Sequence, residues 1–186
     1  MVSHVYPPRR GTRRSVKGHE DFIDAIGLVR QHAPEVVGLI VGGPTRGAEK
    51  YYETLQQRAT RVATNNIVFA GPRSDIPDIY RASDVAVHPS LSENIGGAGE
   101  SLLVATPTIT TNVGGFPDVV RPGISGLMVR AKRPDELAAA ILRSREEPTR
   151  GNAMARTGQQ YIQEIGNAST NALRVLDVYD RMARRP

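Results

Sequence analysis

Short apolar runs recur along the chain, each closed by turn-forming residues. Residues 36–41 (VVGLIV) lead into Gly42-Gly43-Pro44, and residues 67–70 (IVFA) into Gly71-Pro72. Residues 84–87 (DVAV) precede His88-Pro89-Ser90, and residues 106–111 (TPTITT) precede Asn112. Runs of this length, apolar on both alternating positions, read as strands covered on both faces.

Between the runs the period becomes helical. Phe22, Ile23, Ile26 and Val29 recur at helical spacing, and residues 48–62 carry Tyr51, Leu55 and Val62 on an otherwise polar stretch. Residues 100–105 form another short helical segment. Pro134-Asp135-Glu136 opens a helix through Leu142, because proline suits a first turn and acids favour the positive end of the helix dipole. The alternation predicts an α/β fold with a doubly wound, Rossmann-like parallel sheet. Ligands of such sheets bind beyond the carboxyl ends of the strands, which singles out residues 42–47, 71–74, 88–100 and 112–118.

After Arg145 the segment Glu146-Glu147-Pro148-Thr149-Arg150-Gly151 interrupts the pattern, and the remainder is helical. The expected organisation is a Rossmann-like domain over residues 1–145 followed by C-terminal helices over residues 146–186. Ala172, Val175, Leu176, Tyr179 and Met182 make an apolar stripe on the last helix. The first expectation is that it packs on the domain's own sheet layer; the alternative is a surface made for a second domain.

Composition narrows the class. With 39% hydrophobic and 23% charged residues the chain has the balance of a folded globule. No run approaches the ~18 apolar residues of a membrane span, and residues 1–14 lack the apolar centre of a signal peptide, so the expected location is cytoplasmic. The absence of cysteine excludes disulfides, thiolate metal sites and cysteine nucleophiles. A formal charge of +5 favours an anionic partner, whether nucleotide, nucleic acid or membrane surface, and peripheral membrane contact is one expectation it supports.

The chemistry concentrates in residues 88–120. Glu93 and Glu100 flank a glycine-rich turn that runs into a helix, so the amides of Gly96, Gly97 and Ala98 face an anion near a helix N-terminus. Carboxylates accept hydroxyl protons of a sugar or ribose, and free amides hold phosphate oxygens. Five cations fall within the nine residues from Arg9 to Lys17. No Asp-x-Asp triplet, metal-ligand histidine spacing, phosphate loop of the Gly-x-x-x-x-Gly-Lys-Ser/Thr type or Gly-x-Gly-x-x-Gly fingerprint occurs. No metal or other cofactor is therefore expected. The chain also lacks an RNA-binding motif or interleaved basic-aromatic tract, so no nucleic-acid partner is expected.

These residues resemble the retaining glycosyltransferases of the GT-B fold, in the group numbered four. Glu100, Pro107 and Val113-Gly114-Gly115 keep that family's spacing, residues 69–73 and 80–84 resemble its preceding strand and helix, and Lys17-Gly18 its early Lys-Gly. The likeness extends from Val5 to Arg143. Two positions depart from it: Glu93 and Glu100 enclose six residues where the family usually has seven, and Ala105 replaces a helix glycine.

The resemblance implies one half of a GT-B enzyme, metal-independent, moving a sugar from a nucleotide-diphosphate sugar to a hydroxyl acceptor with retention. It implies that Glu100 binds the ribose, while Glu93, Ser92, Asn94, Ile95, Gly96 and Gly97 surround the transferred sugar and phosphates. Lys17 and an arginine would neutralise the pyrophosphate; Arg14 is the chosen arginine, with Arg10 and Arg13 as alternatives. Gly42, Gly43 and Arg73 would lie along the donor. The partner is a missing N-terminal GT-B domain, without which the chain is expected to bind nucleotide but to be nearly inactive. Two alternatives stand: half of an epimerase or phosphorylase of the same fold, and a noncatalytic anion-binding module.

Overall fold

The computed structural model describes residues 1–8, 11–12 and 14–184. Strands and helices alternate as the periodicity demands: α1 (His19–Val29), β1 (Gly38–Val41), α2 (Glu49–Ala63), β2 (Ile67–Gly71), α3 (Ile76–Arg81), β3 (Ala86–His88), α4 (Gly96–Leu103), β4 (Thr108–Thr111), α5 (Phe116–Val119) and β5 (Leu127–Val129). Three helices follow: α6 (Pro134–Glu146), α7 (Pro148–Ile165) and α8 (Ala168–Ala183).

All strand pairs are parallel. β1 pairs with β2, in register from Gly38 opposite Ile67, and β4 lies between β3 and β5. The first residues run beside β1, with parallel bridges from Val2 to Val41 and from Val5 to Pro44 and a 2.8 Å bond from the Ser3 amide to the Val41 carbonyl. Parallel neighbours require crossovers, which the helices supply, and the helices cover the strands in two apolar clusters. One cluster joins Phe22, Ile23, Ile26 and Val29 of α1 to Leu55 of α2 and Ile141 of α6. The other joins Ala98 and Leu102 of α4 to Phe116 and Val119 of α5 and to Ile162 of α7. The strand edges differ slightly from the sequence reading: β3 extends to His88 rather than stopping at Val87, and β4 begins at Thr108 because Thr106 and Pro107 form the link from α4.

The two terminal helices have different fates. α7 turns Gly151, Ala155, Gly158 and Ile162 inward and lies against α4. Its small residues permit that approach: a Cβ on Gly158 would fall 2.5 Å from Leu102. α8 buries none of its residues, and Leu173, Leu176, Tyr179 and Met182 are all more than half exposed. The stripe expected to pack on the domain's own layer is therefore open to solvent, the face against α4 being taken by α7.

Candidate functional site

A cavity of about 380 Å³ opens beyond the carboxyl ends of β1 and β3, where a doubly wound sheet places its ligands. Two chain segments meet there. Gly18 adopts a left-handed φ of +68°, and a Cβ on it would lie 1.9 Å from the Pro89 carbonyl oxygen. Only glycine lets the turn before α1 press on the loop after β3. The Leu91 amide then bonds the Val16 carbonyl at 2.7 Å, and Lys17 Nζ pairs with Glu93 Oε2.

Glu93 is held from three further directions. Ser90 Oγ donates to Oε2 at 3.2 Å, and the Asn94 amide to Oε1 at 3.0 Å. The Gly115 amide donates to the Glu93 carbonyl at 3.2 Å. Gly114, with φ of +55°, passes so close that a Cβ would stand 1.8 Å from the same carbonyl oxygen. This contact explains the Val-Gly-Gly spacing: the loop after β4 is a brace for Glu93.

The opposite wall is the start of α4. The Gly96 amide is taken by Asn94 Oδ1 at 3.0 Å, whereas the amides of Gly97 and Ala98 have no partner among the described residues. Glu100 is exposed, one turn into the helix, and its carboxylate forms no hydrogen bond or ion pair among the described residues. Beneath Gly97 the ring of His88 is buried, and burial pushes its pKa down to about 3, so it is neutral.

The structure gathers Lys17, Gly42, Arg73, Glu93, Asn94, Gly96, Gly97 and Glu100 around the cavity. Arg73 is partly occupied, bonding Asp75 at 2.6 and 2.8 Å. Gly43, Ser92 and Ile95 are not on the wall: Gly43 meets Pro72, and Ile95 packs on Gly115. Arg14 is also off the wall, paired with Asp21. Burial raises the Asp21 pKa against the pull of Arg14. Arg10 and Arg13 lie outside the described residues.

Sequence reasoning missed three contributors. Ser90 and His88 belong to the same post-strand loop as Glu93 and were visible by that position alone. Tyr51 was read only as a core residue of α2; its hydroxyl accepts from the Ser15 amide at 3.0 Å and donates to Glu20, tying down the turn that carries Lys17. Burial and the bond to Glu20 raise its pKa.

Chemically, the cavity offers acceptors at Glu93 and Glu100 and donors at Lys17 and two free amides. That set fits a ligand rich in hydroxyls at its ends and negative in its middle. The fold and this constellation define the class: residues 9–146 match the model of the glycosyl transferases group 1, and the chain belongs to that family. Its architecture is Rossmann-like, the form of one half of a GT-B fold.

Among its relatives is the D-inositol 3-phosphate glycosyltransferase of Thermomonospora curvata, 34% identical over 162 residues that cover 85% of this chain and 37% of that protein. The Anabaena protein Alr3699/HepE, solved in complex with UDP, superposes with a TM-score of 0.81 at 27% identity, covering 95% of this chain and 48% of that one. The crystallised C-terminal domain of a group 1 family protein (LpcC) from Francisella tularensis shares the fold, with a TM-score of 0.71 at 21% identity and coverage of 81% and 80%. The chain spans 32% to 42% of the length of the curated relatives it matches. No helix among the described residues is long and apolar enough to cross a membrane.

Proposed function

We propose that this chain is the donor-binding domain of a retaining glycosyltransferase that moves a sugar from a nucleotide-diphosphate sugar to a hydroxyl acceptor without a metal. The observation that carries the reading is the facing of Lys17 and the free Gly97 and Ala98 amides across a cavity that also holds Glu93 and Glu100. That HepE was solved with UDP and with UDP-glucose supports it by analogy.

In this reading the diphosphate lies between Lys17 and the first turn of α4. The amides point along the helix axis at its oxygens, and the helix dipole adds to their pull. As the bond from sugar to diphosphate breaks, negative charge grows on the leaving phosphate, and fixed donors stabilise it without reorganising. Glu93 orients the sugar by accepting its hydroxyl protons; Ser90 and the Asn94 amide prevent the carboxylate from swinging onto the phosphate. Glu100 takes the ribose hydroxyls. Arg73 and Gly42 line the remaining wall.

A second domain completes the enzyme by covering the open side of the cavity and supplying the acceptor. The exposed stripe of α8 supports this, because six large apolar side chains in solvent are stabilised only when covered. The chain alone then binds nucleotide and turns over little.

Titration of the chain with UDP, GDP and ADP in turn, by calorimetry with added EDTA, tests the site. Heat and a raised melting temperature with one of them are expected, both weakened in Lys17→Ala. No heat and no thermal shift with any of the three overturns the reading.

A further inference from the structure

We infer that His88 is a further ligand-contacting residue of this site, its ring Nδ1 accepting a hydrogen bond from a hydroxyl of the bound nucleotide sugar. The inference rests on the donor-site reading above and goes beyond the carboxylate, lysine and amide contacts named there.

It follows from counting protons in the chain of hydroxyls behind the ring. Thr108 Oγ1 donates its only proton to the Thr106 carbonyl at 2.8 Å. It is thus an acceptor toward Ser101 Oγ, 2.9 Å away. The single Ser101 proton goes either there or to the Ala98 carbonyl at 3.0 Å. Two hydroxyl protons thus face four contacts, the fourth being His88 Nε2 at 3.1 Å from Ser101 Oγ. The arrangement that fills the most of them has the ring supply a proton, with Nε2–H donating to Ser101. A neutral imidazole carries one N–H, so Nδ1 keeps a bare lone pair.

That lone pair faces the cavity. A Cβ on Gly97 would lie 3.1 Å from both Nδ1 and Cε1, so the missing side chain of Gly97 leaves this ring edge uncovered. His88 is on the cavity wall, and Nδ1 has no partner among the described residues and is not among the fully occluded polar atoms. Tyr80 and Phe116 flank the ring, with centroids 6.2 and 6.0 Å away, and fix its plane. The chemistry of a bare lone pair selects its ligand group. It repels a phosphate oxygen and accepts from a hydroxyl, either of the ribose or of the transferred sugar.

Two substitutions separate the ligand contact from the structural one. In His88→Gln the terminal amide reaches Ser101 in place of Nε2, but nothing replaces Nδ1. In His88→Asn the shorter amide sits near the Nδ1 position, and the Ser101 bond is lost. His88→Gln should keep the melting temperature and lose about tenfold in affinity, the size of one neutral hydrogen bond. His88→Asn should melt lower and keep most of the affinity.

The probes are UDP and UDP-glucose, measured by calorimetry, together with the nitrogen NMR spectrum of the ring in the free protein and with UDP-glucose added. A loss confined to UDP-glucose assigns the hydroxyl to the sugar; an equal loss with UDP assigns it to the ribose. A protonated Nδ1 in the free protein, or unchanged affinity for both ligands in His88→Gln, overturns the inference and leaves the donor site standing. Absence of binding to the wild-type chain removes the donor site itself and the inference with it.

Discussion

The two walls of the cavity are built on different principles. The Glu93 wall is clamped: the carboxylate meets Lys17, Ser90 and the Asn94 amide, and its carbonyl is braced by the 113–115 loop. The Glu100 wall is a helix terminus with two amides and a carboxylate that no other described residue holds. A clamped acid is set in direction before the ligand arrives, whereas a free one is oriented by it. The clamped wall thus suits the reacting sugar, where geometry decides rate, and the free wall suits the invariant part of a donor, where only affinity is needed.

The sharpest way to break this contrast is a methyl group on each wall. Gly114→Ala places a Cβ on the Glu93 carbonyl and forces a left-handed backbone on alanine, so it should cost about 3 kcal/mol or more of unfolding free energy and abolish nucleotide binding. Gly96→Ala meets nothing closer than Asn94 Oδ1 at 3.4 Å and should change stability by no more than about 0.5 kcal/mol. Urea unfolding of both variants decides it. Equal costs would mean that the 113–115 loop is no brace.

Acid acts on the foundations of both walls. His19, directly behind Gly18, lies against the Ser3 backbone and is held neutral chiefly by burial, with its pKa down at about 4; His88 is at about 3. Both folded-state values lie below the unfolded value of about 6.5. The unfolded chain therefore takes up protons first, and stability present above about pH 6.5 is lost as pH falls toward 4. Asp21, with its pKa raised, acts in the opposite sense over its own range. In His19→Phe the drop in unfolding free energy between pH 7 and pH 4.5 should shrink by about 2 kcal/mol. An unchanged drop would show that the Lys17 wall does not rest on a neutral His19.

Next come the charges themselves. Lys17→Ala removes the ion pair and the proposed phosphate partner, and should weaken nucleotide binding about tenfold or more. Glu100→Gln breaks no side-chain bond to a described residue, so its melting temperature should equal that of the parent while affinity falls about fivefold. Calorimetry and thermal melting of the two variants side by side tell a held acid from a free one.

Much of this was legible along the chain, and for physical reasons. A continuous apolar run marked β1, shorter apolar runs before Gly71 and His88 marked β2 and β3, and β-branched threonines marked β4, although β2 buries none of its residues; the helix-period positions of α1 and α2 supply their buried apolar faces. Lys17 and Glu100 stood out beside Gly18 and Gly99, and Glu93 stood out just before the glycine-rich turn of residues 96–99. What the sequence withheld depends on contacts between distant residues. Arg14 is drawn off by Asp21, a carboxylate that its position on α1 buries. Tyr51 supports the Lys17 turn from another helix. α7 and α8 both have apolar stripes, and only the small residues of α7 matched the surface of α4. The short β5 and the four-residue α5 carry too few positions for any period to show.

The smallest effect tests the far end of the free wall. α4 stops at Leu103, and Ala105 takes a left-handed φ of +55°. The Thr106 amide bonds the Ser101 carbonyl at 3.0 Å, and the Ala105 amide bonds that of Leu102 at 2.9 Å. This is the helix-ending motif in which glycine is preferred, and alanine there bears about 1–2 kcal/mol of backbone strain. It gives the physical reason that the resembling family carries glycine at this position. Ala105→Gly relieves the strain and loses part of the gain to the greater freedom of the unfolded chain, for a net stabilisation of about 0.5–1 kcal/mol. Thermal unfolding should show a rise of a few degrees with nucleotide affinity unchanged, since Glu100 and the free amides lie at the other end of the helix. A lower melting temperature would mean that the Ala105 methyl packs productively and that the strain is compensated where it arises. A changed affinity would mean that the two ends of α4 are coupled, and the Glu100 wall could no longer be called free.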